Sequence, residues 1–390
     1  MKPVFQRDKF TWLAYLLLAF YSYYLNIFGP MAPFLKAELN LSYTVSSLHF
    51  TAFAVGMLVV GLEGHLVTAW LGQRRAFWVG AFGLSAGALL LISGNNPFIT
   101  IGAAFLMGLI GSLILILVSS GLSEKHGELR AIAFAEANVM ASVVSSAAPL
   151  LVGWLAQTSG GWRLALGLAA SLPVFLWFGF GKVSLPTSAN HANQAHQPGG
   201  TLSLKFWVYW LALVLAVAIE FCMLSWSADY LENILGMVKA EAAQAVSLFL
   251  VAMIIGRAAS SRLIQRFSAH QLVVSALLIA SLGFLIFWTA GTALFGMIGL
   301  FITGLGVAGL YPLIISMAMG AAENNPVQGS ARTALASGLA ILALPLILGK
   351  LADTLGIWKA YGVVVFLLVG AFTVVQLAES QALERRSKPA

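Results

Sequence analysis

The chain has 390 residues, of which 60% are hydrophobic and only 9% are charged. A soluble domain usually carries about 25% charged residues, so this composition excludes an ordinary water-soluble fold and indicates a protein surrounded by lipid. The formal net charge of +7 does not indicate nucleic-acid binding, because the basic residues lie at the ends of apolar runs, where membrane topology explains them.

The N-terminal segment resembles a signal peptide, since Lys2, Arg7 and Lys9 precede the first apolar run. That run continues through Asn26 to Pro30 without the small-residue pattern of a cleavage site. We therefore interpret it as an uncleaved first membrane span.

The apolar runs that follow are long enough for helices, because a spanning helix needs about 20 apolar residues. A β-barrel would instead show alternating segments of about 10 residues. The sequence thus predicts an all-α membrane protein with twelve transmembrane helices. The predicted spans are 11–30, 45–64, 76–94, 98–120, 131–155, 163–181, 206–228, 242–260, 271–290, 293–319, 331–350 and 359–378.

A polar stretch rich in Pro, Gly, Ser and Asn interrupts this pattern near the middle of the chain, at residues 184–203. Six predicted spans precede it and six follow, so it is typical of a flexible linker. The predicted organisation is a bundle over 1–181, a cytoplasmic linker over 182–205, a second bundle over 206–378 and a cytoplasmic tail over 379–390.

The basic residues predict the orientation. With both termini in the cytoplasm, sixteen of the 21 Lys and Arg residues fall on the inner side. The protein is predicted to lie in the inner membrane of a bacterial cell. The inner set includes Arg257, Arg262 and Arg266, for which orientation and contact with lipid headgroups are favoured over contact with a substrate.

The two halves repeat at a constant spacing of 196 residues. Gly87 matches Gly283, Gly108 matches Gly304, Pro149 matches Pro345, Gly153 matches Gly349, Gly160 matches Gly356 and Trp162 matches Trp358. Since each half has six spans, both halves have the same orientation, which predicts a parallel repeat with a cavity between them.

This organisation resembles the major facilitator superfamily over nearly the whole chain. The segment after span 2 keeps that family's glycines, Gly64 and Gly72, and its closing basic pair, Arg74 and Arg75, but lacks its acid. The counterpart after span 8 keeps Arg266. The resemblance implies two parallel-repeat six-helix bundles, alternating access, a monomer, and a cytoplasmic latch, so Arg74, Arg75 and Arg266 are gating candidates.

Span 5 resembles an exporter motif of the same family. Pro149 and Gly153 are retained, while other small positions carry Ala or Val. This keeps open an alternative function as a drug or metabolite efflux pump that exchanges its substrate for protons. Close helix packing requires small residues here in either case.

Glu220 is the main candidate for chemistry, because charges inside a bilayer are costly and mark function by default. No Lys or Arg lies within one turn of it on its own helix. The resemblance implies that spans 1, 4, 7 and 10 line the cavity, so Glu220 in span 7 is predicted to bind protons or substrate. A structural hydrogen bond from a protonated Glu220 is the alternative.

Glu136 in span 5 and Arg332 in span 11 occupy repeat-related positions with opposite charges. We predict a gating role, in which each closes onto the other half and releases when the inner side opens. The alternative is a static pair or helix cap near the inner surface.

Polar and aromatic residues deep in the spans are the candidates for substrate binding. Tyr21 and Tyr24 share one face of span 1, and such residues suit an uncharged solute with rings or hydroxyls. The absence of a fixed Lys or Arg at mid-membrane argues against multiply charged anions. The predicted substrate-binding residues are Tyr21, Tyr24, Asn26, Asn138, Trp226 and Tyr311.

Other chemistry is disfavoured by the sequence. Cys222 stands alone and the histidines lack ligand spacing, so neither a disulfide nor a metal site is predicted. The match of Gly83–Gly87, centred on Ser85, to a nucleophile elbow falls inside an apolar run. We therefore predict a secondary active transporter, not an enzyme, that uses no cofactor, draws on a proton gradient and binds a small solute and the lipid bilayer. A non-transporting receptor and an intramembrane enzyme at Ser85 are the rivals.

Overall fold

The computed structural model describes residues 5–183, 202–322 and 326–387. Every regular element in these ranges is a helix, with one 3-10 turn at Gly127–Leu129. The helices of the first half are α1 (Lys9–Leu39), α2 (Tyr43–Leu71), α3 (Gln73–Ser93), α4 (Pro97–Gly111), α5 (Leu113–His126), α6 (Arg130–Leu155), α7 (Arg163–Ala170) and α8 (Leu172–Phe180). Those of the second half are α9 (Leu204–Asn233), α10 (Lys239–Leu263), α11 (Ala269–Trp288), α12 (Ala293–Val307), α13 (Leu310–Ala321), α14 (Pro326–Leu355), α15 (Ile357–Ala360) and α16 (Gly362–Ser387).

Twelve segments of the described chain are long and apolar enough to cross a membrane, which confirms the predicted number of spans. Some of these spans consist of two helices with a short break between them. The fourth span breaks at Ser112, between α4 and α5, and the tenth breaks at Ala308 and Gly309, between α12 and α13. Ser112 and Ala308 are 196 residues apart, so the internal repeat includes the break.

Several helices extend past the predicted ends of the spans. The segment after span 2, predicted as a loop, is helical through Leu71, and the chain turns at Gly72, whose φ of 75° favours glycine. Residues 379–387 of the predicted tail continue α16 as a helix. Most of the predicted linker, residues 184–201, lies outside the described residues. Hydropathy marks where the bilayer ends, whereas backbone hydrogen bonding continues into water, so the helices are longer than the apolar runs.

Contacts between Cα atoms divide the chain into two compact units. The first contains α1, α2 from Leu48 onward, and the helices through α8; the second contains Ser42–Ser47 and the helices from α9 onward. In the first unit α1 packs mainly against α6, and α3 packs against α4. In the second unit α9 is central and packs against α10, α13, α14 and α16.

The same glycine contacts occur in both units. A methyl group added at Gly108 would overlap the carbonyl of Phe53, and one added at Gly304 would overlap the carbonyl of Phe249. Phe53 and Phe249 are themselves 196 residues apart. The glycines at this spacing therefore permit helices to cross closely at equivalent places, which is their usual role in membrane helices.

Ser42–Ser47 includes the first turn of α2. There the carboxylate of Asp353 accepts hydrogen bonds from the backbone N–H of Tyr43 at 2.7 Å and of Thr44 at 2.8 Å. A carboxylate at this position satisfies N–H groups that have no partner within the helix and complements the helix dipole.

Candidate functional site

Glu220 lies in the middle part of α9 and has a charged neighbour on another helix. The guanidinium Nη2 of Arg257, on α10, is 3.9 Å from the Glu220 carboxylate oxygen Oε1. That distance is too long for a hydrogen bond, so the two groups form a loose ion pair. Only 16% of the Glu220 side chain is exposed, against 42% of the Arg257 side chain.

This pair is a contact that the sequence did not predict for Arg257, for which orientation and lipid contact stay the prediction. It also gives Glu220 a basic neighbour, which its own helix does not supply. Arg257 lies six residues before the end of α10 at Leu263, and its side chain reaches Glu220. An arginine has a long apolar stem, so its charge can lie far from its Cα.

The predicted tyrosines of span 1 are buried inside the first unit. The hydroxyl of Tyr24 donates a hydrogen bond to the carbonyl of Leu166 at 2.7 Å, and the hydroxyl of Tyr21 lies 3.1 Å from the Ser112 hydroxyl. The neighbouring Tyr23 donates to the carbonyl of Ala165 at 2.9 Å. These bonds join α1 to α7 and to the break between α4 and α5.

The other predicted substrate-binding residues differ in exposure. Trp226 is fully buried and its indole N–H donates to the carbonyl of Pro345 at 3.1 Å. Asn138 is exposed, and Asn26 and Tyr311 are half-buried. Both asparagine amides donate to a carbonyl four residues earlier on their own helix.

Glu136 pairs with the segment before α1. The Arg7 guanidinium donates to both carboxylate oxygens of Glu136, at 2.7 and 2.5 Å, and the Tyr15 hydroxyl donates to it at 3.2 Å. The hydrogen bond to Glu136 raises the pKa of Arg7 above its ordinary value. Glu136 therefore has its basic partner within its own unit.

A second cluster at the same end of the first unit is built around Asp8, the N-cap of α1. Asp8 accepts hydrogen bonds from the backbone N–H and hydroxyl of Thr11, and lies 2.7 Å from the Lys125 ammonium. Partial burial acts to raise the pKa of Asp8, but these bonds outweigh it and the pKa is lowered. His126 Nε2 is 2.9 Å from the Thr11 hydroxyl, so α5 is tied to the start of α1.

The remaining gating candidates lie at helix ends. Arg332 is exposed, and its backbone carbonyl accepts a hydrogen bond from the Trp210 indole at 2.7 Å. Arg74 donates to the carbonyl of Gly181, at the end of α8. Arg75 and Arg266 are exposed.

Two acidic residues that the sequence analysis did not single out are buried or paired in the structure. Asp229 is fully buried in α9, one residue beyond the predicted end of span 7 at 228. Glu38 pairs with Arg163 and accepts a hydrogen bond from the Trp162 indole at 2.7 Å. A longer predicted span 7 would have included Asp229. The pairing of Glu38 with Arg163 could not be predicted from a local pattern, because the two residues are far apart in the sequence.

Ser85 lies within α3. The surrounding segment is continuous helix, so it lacks the strand-turn-helix context that a nucleophile elbow requires.

A family model described as the Major Facilitator Superfamily matches residues 11–337. The chain belongs to the Major Facilitator Superfamily. It is thus a multi-pass membrane protein with the fold of the transporters of this superfamily, as the sequence resemblance predicted.

Similar proteins in this superfamily include an uncharacterised MFS-type transporter of Yersinia pestis, 25% identical over 367 residues, covering 87% of this chain and 88% of the relative. A peptide transporter of Yersinia enterocolitica is 31% identical over 187 residues, but the match covers 43% of this chain and only 34% of that protein.

Solved structures show the same fold at low sequence identity. A bacterial homologue of the human lysosomal transporter Spinster, in an inward-facing and occupied conformation, has a TM-score of 0.81 at 14% identity, covering 98% of this chain and 99% of the other. A point mutant of the peptide transporter POT has a TM-score of 0.74 at 16% identity, covering 96% of this chain and 94% of the other.

Proposed function

We propose that this protein is a secondary active transporter, which moves a small neutral or weakly charged organic solute by alternating access and couples that movement to protons through Glu220. It acts as a monomer in the inner membrane of a bacterium, with both termini in the cytoplasm. The superfamily supports membrane transport, while the solute and the coupling rest on the site itself.

The observation that carries the proposal is the Glu220–Arg257 pair. An acid within an apolar 30-residue helix, with 16% of its side chain exposed, is costly to keep charged unless a cation compensates it. Arg257 supplies that cation, with its guanidinium 3.9 Å from the Glu220 carboxylate. Small movements of α9 against α10 therefore change how easily Glu220 is protonated, which is what proton coupling requires.

Exposure separates the substrate-binding candidates. Asn26, Asn138 and Tyr311 are exposed or half-buried, so we assign substrate contact to them as well as to Glu220. Tyr21, Tyr24 and Trp226 are buried and bonded within their own units, so we assign them to positioning of the helices. Glu136, Arg332, Arg74, Arg75 and Arg266 keep their proposed part in the inner gate.

The test begins with ligand-dependent thermal stability of the purified protein against a broad solute panel at pH 5.5 and pH 8. A ligand at a hundred times its dissociation constant stabilises a protein by roughly 2.7 kcal/mol. Each hit is then tested for uptake into proteoliposomes under an imposed pH gradient. We expect accumulation of the solute by wild type and loss of gradient-driven accumulation by Glu220→Gln, which cannot bind and release a proton.

Glu232→Gln is the matched control, because Glu232 lies on the same helix but pairs with Lys239 near its other end, at 3.4 Å. It should accumulate solute as wild type does. Gradient-driven accumulation by Glu220→Gln at the wild-type level would refute the coupling role. Solute expelled against its gradient, in exchange for protons, would select the efflux alternative of the same fold.

A further inference from the structure

The two members of the Glu220–Arg257 pair differ in accessibility. The arginine side chain is 42% exposed, whereas the glutamate is 16% exposed. The cation is therefore the more accessible member of the pair, and the acid is largely covered. An anionic group is the natural ligand of such an arginine, because a guanidinium presents a planar fork of donors that matches a carboxylate.

The charges around Glu220 limit what else could compensate it. The helices packed against α9 are α10, α12, α13, α14 and α16. The titratable side chains described on or beside them are Lys239, Glu241, Arg257, Arg262, Tyr311, Arg332, Lys350, Asp353, Lys359, Tyr361 and Glu379. Of these, only Arg257 lies within ion-pair distance of Glu220.

Among the described residues, Arg257 is therefore the group that balances the charge of Glu220. When an anion takes the Arg257 guanidinium, the buried Glu220 loses its only described counter-ion. A buried carboxylate without a counter-ion is strongly disfavoured, and the group becomes neutral instead. Glu220 does so by taking a proton from water, after which the site again carries no net charge.

We infer that Glu220 and Arg257 form a binding site for one carboxylate group, in which the carboxylate binds Arg257 and a proton binds Glu220. This inference rests on the proposed transport function and names its substrate class as organic monoanions. A dianion would leave the site with a negative charge even after Glu220 is protonated. A zwitterion would require Glu220 to accept an ammonium group, but that carboxylate is the covered member of the pair.

The test measures binding and proton uptake together, with the full chain in phosphatidylcholine nanodiscs. The probes are propionate and benzoate, their uncharged amides propionamide and benzamide, and the zwitterion glycine. Calorimetric titration near pH 7.5 in two buffers of different ionisation enthalpy gives the protons taken up per ligand bound. We expect binding of the carboxylates but not of the amides, with uptake of about one proton for each carboxylate bound.

Substitutions at the two residues distinguish the role of Glu220 from that of Arg257. Glu220→Gln should bind carboxylates without proton uptake, because it imitates the protonated acid. Arg257→Gln should lose about tenfold to hundredfold in affinity, the usual effect of removing a hydrogen-bonding charged partner. Arg262→Gln, an exposed arginine five residues later on α10, should bind as wild type does. If Arg257→Gln does not fold, Arg257→Lys should still bind more weakly, since it lacks the fork.

Several results would overturn the inference. These are no carboxylate binding, amides that bind as tightly as carboxylates, wild-type affinity in Arg257→Gln, or glycine bound without proton uptake. Proton uptake on adding phosphatidylglycerol alone would assign Arg257 to a lipid headgroup, which also overturns it. If carboxylates fail to bind but Glu220→Gln still abolishes gradient-driven accumulation of another solute, the transport proposal stands and only the substrate class falls.

Discussion

At the scale of single residues, a polar side chain inside a membrane helix serves either the fold or a ligand, and its partner distinguishes the two. Lipid offers no hydrogen bonds, so a buried hydroxyl must find its partner within the protein. Tyr24 donates to the carbonyl of Leu166 and is fully buried. Tyr311 is half-buried beside Pro312 in α13, and we propose that it contacts the solute.

Removing the hydroxyl of Tyr24 should therefore affect stability, whereas removing that of Tyr311 should affect solute binding. Tyr24→Phe should lower the free energy of unfolding by about 1 kcal/mol, because a buried hydrogen bond is lost, and should leave solute affinity unchanged. Tyr311→Phe should weaken solute binding while its apparent melting temperature in detergent stays at the wild-type value. Each variant is the control for the other, and weaker solute binding by Tyr24→Phe at unchanged stability would restore its predicted substrate role.

The sequence indicates which residues are unusual more reliably than it indicates their partners. Glu220 is recognisable because a charge interrupts an apolar run. Its partner Arg257 is not, because 37 residues separate the two and the contact depends on how α9 packs against α10. The pairing of Glu136 with Arg7 is hidden for the same reason, since those residues are 129 apart. Local sequence patterns predict which residues are buried or charged, but they do not predict which residues of two packed helices lie opposite each other.

At the scale of helices, the internal repeat is a repeat of contacts as well as of residues. Gly108 on α4 and Gly304 on α12 both meet the backbone of a phenylalanine on a neighbouring helix. The glycine pairs, and the number and helical type of the membrane spans, could be predicted from the sequence, but the breaks that divide some spans into two helices could not. The helix ends could not, because α2 and α16 continue beyond their apolar runs.

The repeat predicts how a larger residue at these close helix crossings would change the stability of the protein. Gly108→Ala and Gly304→Ala should each destabilise the protein by about 1–3 kcal/mol, since the added methyl group overlaps a backbone carbonyl and forces the helices apart. Gly102→Ala, on the same helix as Gly108 but with open space around it, should not be destabilising. Apparent melting temperatures in one detergent give the comparison, and equal effects at Gly102 and Gly108 would show that helix crossing does not explain the repeated spacing.

At the scale of the whole molecule, orientation is a consequence of charge. Positively charged loops are retained on the cytoplasmic side during insertion, and sixteen of 21 basic residues favour one of the two topologies. Hydropathy alone gives twelve spans but no direction. The favoured topology predicts that the loop after α3 is external and that the turn after α10 is cytoplasmic.

The native chain suits a labelling test of this topology, because its single cysteine, Cys222, is buried and should react little. Asn95→Cys and Gln265→Cys place one exposed thiol in each of these two connections. A membrane-impermeant maleimide should label Asn95→Cys in intact cells, and Gln265→Cys only after the inner membrane is permeabilised. Wild type gives the background from Cys222. The reverse labelling pattern would mean that the chain is inserted the other way round. Glu220 would then take up its proton from the other side of the membrane at the same step of the transport cycle.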